Sequence, residues 1–370
     1  MTSTRVSSSA NSELSSSLED LVCLHDFEGC AKGLVSSIAW EYIHSGAADE
    51  ITLRANRERL DAIRLCPRVL RDVSLLDTRT SVLGMELPFP LMIAPTALHK
   101  LVHAEGELAT VRGANAAGVP FTLSTLSSVS IEDVAPQATV PLWFQLYIQR
   151  DRELTRSLVQ RAEAAKFAGL CVTVDTPILG VRNRLQRARF VVPPEIEFAN
   201  LHEIEVKRER HGGTGAFTGV IPESMTWKDI EWLQSFSKLP IVLKGILNPE
   251  DADQAAKLGV AGIIVSNHGA RDLDTLPATI DALPRVADRI AGRIPVLMDG
   301  GIRRGTDILK ALALGAAAVL LGRPVLYGLG TGGERGVERI VKILRSELEL
   351  TMALSGRPTI ASIDRTLIWS

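Results

Sequence analysis

The chain has 370 residues, 46% hydrophobic and 23% charged, which supplies a large core and sets it apart from disordered or fibrous compositions. A formal net charge of -2, with no basic tract interleaved with aromatics, argues against nucleic acid as a partner. The four cysteines (Cys23, Cys30, Cys66, Cys171) show neither C-x-x-C spacing nor scaffold density, so they read as small buried hydrophobes in a reducing, cytoplasmic setting.

The serine-rich start, TSTRVSSSANSELSSS, has no apolar h-region, so residues 1–20 are expected to be a disordered tail and residues 21–370 one domain. No apolar run reaches the roughly 18 residues that a membrane span needs, and the terminal LIWS lacks a peroxisomal tripeptide. From about 16 to 64 the apolar spacing is helical and precedes the repeating pattern, which predicts an N-terminal helical cap over one end of the fold.

After residue 88, short apolar runs alternate with helical segments. The runs are Leu91–Ala97, Phe121–Thr125, Leu142–Tyr147, Leu170–Asp175, Ile241–Ile246, Gly262–Asn267, Val296–Gly300 and Ala318–Gly322, with helices such as Glu105–Ala117, Glu153–Ala168, Glu250–Leu258 and Thr306–Leu314 between them. This alternation predicts an α/β fold whose parallel strands close into a (β/α)8 TIM barrel. An open doubly wound sheet is the rival, but its nucleotide turn should carry glycine after the first strand, where this chain has APTALHK. The connection after the fourth strand, from Thr176 to about Met225, is long and polar and contains HGGTG at 211–215. It is read as a candidate lid, with a functionless insertion as the alternative.

In such a barrel the site lies at the C-terminal strand ends, so polar residues closing apolar runs carry the information. Gln145 and Tyr147 close the third run, Thr173 and Asp175 the fourth, Lys244 the fifth, and Ser266, Asn267 and His268 the sixth. An imidazole at His268 can take a hydroxyl proton, Asp175 can orient it, and Arg271 can grip a carboxylate through paired hydrogen bonds. MDGGIRRGTD and LLGRP end the last two runs, placing glycines with Arg303 and Arg323 where barrels hold phosphate, though plain turn glycines with solvated arginines would read the same way. Nothing in the sequence suggests a metal site.

From about residue 25 onward the chain resembles the FMN-dependent 2-hydroxy-acid oxidases and dehydrogenases, the group of glycolate and lactate oxidase. SNHGARDLDTLPATI at 266–280, with APTALHKLVHAEGE, FQLY, TVDTP, LKGI, DGGIRRGTD and GRP in the same order, carries the resemblance. The resemblance implies that His268 takes the substrate hydroxyl proton while the Cα hydrogen passes to the flavin as hydride, with proton abstraction from Cα as the rival mechanism. It further implies that Asp175 holds the imidazole, that Arg182, Arg271 and Tyr42 bind the substrate carboxylate, and that Tyr147 hydrogen-bonds near the hydroxyl. Lys244 would stabilise the reduced flavin. FMN would rest on Pro95, Thr96 and Ala97, with Ser124, Gln145, Thr173 and Ser266 around its ring and Asp299 on the ribityl hydroxyls. Its phosphate would meet Gly301 and Gly322 amides beside Arg303 and Arg323.

One departure concerns specificity. Leu126 stands where plant glycolate oxidases carry a tryptophan, which predicts lactate or a larger L-2-hydroxy acid over glycolate. The expected activity is oxidation of such an acid with dioxygen reduced to hydrogen peroxide. Residues 196–224 are too polar for the membrane segment of some family dehydrogenases, and no haem domain precedes residue 25, so a dehydrogenase feeding a quinone or cytochrome is the alternative. A decarboxylating monooxygenase, a flavin-dependent isomerase and a catalytically silent barrel stay open behind it. The resemblance also implies a homo-oligomer, by analogy a tetramer.

Overall fold

The computed structural model describes residues 18–201 and 224–369. The HGGTG stretch of the expected lid and all but the last three residues of the expected tail lie outside them.

Eight parallel strands close into a barrel: β1 (Leu91–Ile93), β2 (Phe121–Ser124), β3 (Leu142–Leu146), β4 (Gly169–Thr173), β5 (Ile241–Ile246), β6 (Gly262–Val265), β7 (Val296–Met298) and β8 (Ala318–Leu321). Closure comes from β8 pairing with both β7 and β1. The predicted runs all appear, several of them trimmed at the C-terminal end. The first was expected to reach Ala97 but stops at Ile93. Pro95 has no N–H to donate to a ladder, so Thr96 and Ala97 run free of it as a loop at the barrel mouth.

Several of the helices that follow the strands carry their own start signal. Asn248 accepts the Glu250 amide with Pro249 at the first helical position, and Asp151 accepts the amides of Glu153 and Leu154. The long C-terminal helix Arg323–Leu354, kinked at Gly332 and Gly333, packs along Glu107–Ala117 and completes the outer ring. The two helices approach so closely that a Cβ on Gly113 would stand 2.6 Å from the Glu334 carbonyl.

Side chains alternate across the barrel wall. Met92, Trp143, Cys171, Val242, Ile264, Leu297 and Leu320 point into the barrel, while their neighbours in sequence pack against the helices. The lower end of this interior is closed by an antiparallel hairpin, Thr80–Val82 with Met85–Leu87, whose Met85 sulfur accepts the Trp143 indole N–H at 3.1 Å. Each buried aliphatic side chain of the plug contributes about 1.5–3 kcal/mol.

The N-terminal cap consists of α1 (Leu24–Leu34), α2 (Ser37–His44) and α3 (Ile51–Ala62). It flanks the opposite end, the mouth. Asp274 reaches across to accept the amides of Ile51 and Thr52 and so caps α3 from outside its own segment. Among the described residues no helix is long and apolar enough to cross a membrane, and all four cysteines are free thiols.

Candidate active site

Strand periodicity builds the floor of the site. Two residues beyond each inward apolar side chain, the next inward position is polar or small: Gln145 after Trp143, Thr173 after Cys171, Lys244 after Val242, Ser266 after Ile264, Asp299 after Leu297 and Gly322 after Leu320. On β2 the inward pair is Thr122 and Ser124. Register brings these residues side by side, with Ser124 opposite Gln145 and Thr173 opposite Lys244.

Most of this floor shares one cavity with the predicted substrate residues. Its lining includes Tyr42, Pro95, Thr96, Ala97, Ser124, Leu126, Gln145, Tyr147, Thr173, Arg182, Lys244, His268, Arg271, Asp299, Gly301, Arg303 and Arg323. Ile43, Leu179, Gly269, Gly300 and Leu326 complete it. Asp175, Ser266 and Gly322 stand behind the wall. Asp175 holds His268, Ser266 accepts the Lys244 ammonium at 3.0 Å and the His268 amide at 3.1 Å, and Gly322 is the residue from which the long C-terminal helix starts.

His268 sits in a left-handed backbone conformation (φ 56°), which turns its ring toward the mouth. Its Nδ1 lies 2.8 Å from Asp175 Oδ1. A carboxylate can only accept, so the proton resides on Nδ1 and the lone pair on Nε2, 3.4 Å from the Tyr147 hydroxyl. Burial pushes the Asp175 carboxyl up, but the charges of His268 and Lys244 and the hydrogen bonds from His268 and Thr176 hold it below the usual carboxylate range. Burial, then Asp272 and Asp175, push the Tyr147 phenol well above its ordinary value, so it stays protonated.

Two groups at this imidazole were not singled out from sequence. The Thr176 hydroxyl lies 3.0 Å from Nδ1 and donates to Asp272 Oδ2 at 2.7 Å, and that same Asp272 oxygen stands 3.2 Å from Nδ1. The available signal was local: an acid four residues after His268 and a hydroxyl directly after Asp175.

The mouth also carries a cluster of cations, Arg182, Arg271 and Arg323. Arg182 donates to the Arg271 carbonyl at 2.9 Å and pairs with Asp272 at 3.3 Å. Arg271 lies over the Tyr42 ring, 5.2 Å from its centroid, and donates to the carbonyls of Tyr42 and Ser45. Burial, reinforced by Arg182 and Arg323, pushes the Arg271 guanidinium down to about 9. An anion between these arginines relieves that strain. Arg323 is more occupied than its motif implied, since it donates to the carbonyls of Ile43, Ser45 and Gly269 and thereby ties α2 to the loop carrying His268.

The loop after β7 is shaped by its glycines. Gly301 has φ 78°, and a Cβ there would meet the Asn56 carbonyl of α3 at 2.3 Å. Arg57 and Asp307 brace it: Arg57 donates to the Gly301 carbonyl at 2.8 Å, and Asp307 accepts the Arg303 and Arg304 amides. Nearby, Asn56 and Asn267 exchange side-chain amide hydrogen bonds of 3.0 and 2.8 Å, fixing the His268 loop to the cap.

The donor set fits FMN. Gln145 Nε2 and Asp299 Oδ1 are buried and lack partners, a donor suited to a ring carbonyl and an acceptor suited to a ribityl hydroxyl. Lys244 is buried beside Asp299 at 3.4 Å. Desolvation disfavours its charge, but Asp299 and Asp175 outweigh this and keep it an ammonium. Gly301 and Arg303 supply the small backbone and the cation that a phosphate needs.

Comparison with known proteins agrees with this reading. Residues 31–370 match the family described as FMN-dependent dehydrogenase. An L-lactate oxidase from Nostoc sp. is 49% identical over 354 residues, covering 93% of this chain and 97% of the relative. A glycolate oxidase from Spinacia oleracea is 46% identical over 353 residues, covering 94% and 96%. The solved structure of mandelate oxidase with (S)-4-hydroxymandelic acid superposes with a TM-score of 0.89 at 38% identity, over 94% of this chain and 98% of that one.

Proposed function

The chain belongs to the FMN-dependent dehydrogenase family, and from that premise we propose that it oxidises an L-2-hydroxy acid to the 2-oxo acid, dioxygen being reduced to hydrogen peroxide. One observation carries the reading. A histidine whose Nδ1 is held by a carboxylate shares one cavity with Arg182, Arg271, Lys244 and Gln145.

When bound, FMN would supply a two-electron acceptor for the Cα hydrogen and a route for those electrons to dioxygen. The remaining work falls to the chain. Arg182 and Arg271 receive the substrate carboxylate, which fixes the hydroxyl relative to His268. Nε2 of His268 takes the hydroxyl proton, and Asp175 stabilises the imidazolium that forms. Tyr147, permanently protonated, donates toward the substrate oxygen. Lys244 keeps a fixed positive charge on the floor, where negative charge develops as the reaction proceeds. Thr96, Ala97, Ser124 and Thr173 shape the remaining walls, and Leu126 with Leu179 offers an apolar surface to the substrate side chain. That surface favours lactate or a larger acid over glycolate.

The test is His268→Ala. FMN should remain bound, as judged by the visible spectrum, while turnover of L-2-hydroxy acids is lost. A variant that kept turnover would remove His268 from the role of base.

A further inference from the structure

Asp272 is a second carboxylate on the imidazole of His268, and it also touches the substrate-binding face. Oδ2 lies 3.2 Å from Nδ1 and accepts the Thr176 hydroxyl at 2.7 Å, while Oδ1 lies 3.3 Å from an Arg182 nitrogen. Its side chain is only 7% exposed, so water screens these contacts little. Other charged or titratable groups face the imidazole too. Asp175 and Thr176 approach from the end of β4, Tyr147 from the end of β3, and Arg182 from the connection after β4. Lys244 stands behind Asp175 on β5, and Arg271 lies in the same loop as Asp272.

Proton counting separates the two carboxylates. Nδ1 has one N–H to give, and the shorter 2.8 Å contact assigns it to Asp175. Thr176 has one O–H, and its shorter contact assigns it to Asp272 rather than to Asp175, which lies at 3.1 Å. Asp272 is therefore neutralised chiefly by Arg182, the guanidinium assigned to the substrate carboxylate.

We propose that Asp272 is a positioning residue that couples the carboxylate grip to the base. Before substrate binds, its charge is shared with Arg182. When the substrate carboxylate takes its share of that guanidinium, more of the Asp272 charge acts on His268, and the imidazole becomes a stronger base once the acid to be oxidised is in place. The balance involves only the hydroxyl proton, which leaves the substrate oxygen for Nε2. A substrate lacking the carboxylate would gain none of this help.

This proposal rests on His268 being the base, and the experiment separates the two. The limiting rate of anaerobic flavin reduction, and its ratio to the apparent Kd for L-lactate, are measured from pH 5 to 9 in the wild type, Asp272→Asn and Asp272→Glu. In the wild type the acid limb of the limiting rate should lie at higher pH than that of the ratio, because the first reports the substrate complex and the second the free enzyme.

Asp272→Asn should move the limb of the limiting rate down by about 1 unit, the effect of one charge within hydrogen-bonding reach. It should also narrow the gap between the two limbs, and Asp272→Glu should restore part of both. Binding of pyruvate, followed by perturbation of the flavin spectrum, should shift its pH midpoint in the same direction. Coincident limbs in the wild type, or an Asp272→Asn profile lowered in rate but unmoved in pH, would overturn the coupling. If His268→Ala is inactive under those conditions, the base assignment survives that loss, whereas an active His268→Ala removes both.

Discussion

Asp175→Asn isolates the electrostatic part of the mechanism with almost no change in shape. In the structure Asp175 Oδ1 lies 2.8 Å from His268 Nδ1, and the side chain is 13% exposed. Once the substrate proton arrives on Nε2, the imidazolium and the carboxylate are unit charges with centres roughly 4 Å apart, worth about 4 kcal/mol at an effective dielectric near ~20. Asp272 still faces the same nitrogen at 3.2 Å and retains part of that stabilisation. The loss is therefore set at about 3–4 kcal/mol, or roughly 10²- to 10³-fold in rate. An asparagine can also turn its amide N–H toward Nδ1, which moves the ring proton to Nε2 and removes the base altogether. The assay is stopped-flow reduction of the bound flavin under anaerobic conditions, normalised to FMN content. A variant that binds FMN fully and loses less than about fivefold in reduction rate would refute the reasoning, because Asp175 would then be a structural partner only.

Two further outcomes follow from the walls of the cavity. Leu126→Trp fills the apolar surface beside Leu179, so kcat/KM for L-2-hydroxy-4-methylpentanoate should fall at least tenfold relative to that for glycolate; an unchanged ratio would take Leu126 off the substrate path. Gly301→Ala forces a Cβ to within 2.3 Å of the Asn56 carbonyl in a positive-φ conformation, which costs about 1–3 kcal/mol. Fluorescence titration of the apoprotein should then show weaker FMN binding, with reduction of whatever flavin is loaded near the wild-type rate.

The barrel was legible because its strands are short apolar runs with polar residues at fixed places, and period-two alternation turns that pattern into geometry. Gln145, Thr173, Lys244, Ser266 and Asp299 meet on one floor because each is two residues past an inward apolar side chain. The hairpin plug was not read. Its strands span three residues each, and its turn places Leu83 at φ 54° ahead of Gly84, without the Asn-Gly or Asp-Gly pair that marks such turns. The cap helices were visible as periodicity, but their place at the mouth depends on long-range ties such as Asn56 with Asn267 and Asp274 with α3, which no local pattern reports.

The same limit applies inside the site. His268, Asp175 and Arg271 stood out by residue type and place, and Arg182 through the family resemblance, whereas Asp272 gains its meaning from distances to His268 and Arg182 that arise only when the loop after β6 folds over the end of β4. Arg323 shows the converse. Its motif suggested a free phosphate ligand, and the structure commits its guanidinium to carbonyls of α2 and of the His268 loop.

The most direct measurement mixes the yellow holoprotein anaerobically with L-lactate, L-2-hydroxy-4-methylpentanoate, L-mandelate and glycolate in turn, follows the flavin band near ~450 nm, and then admits air. Bleaching by the larger L-acids, followed by rapid return of colour with peroxide formed in step, is the expected result. Bleaching with slow return would point to an acceptor other than dioxygen, and a flavin left oxidised by every acid would contradict the account at its centre.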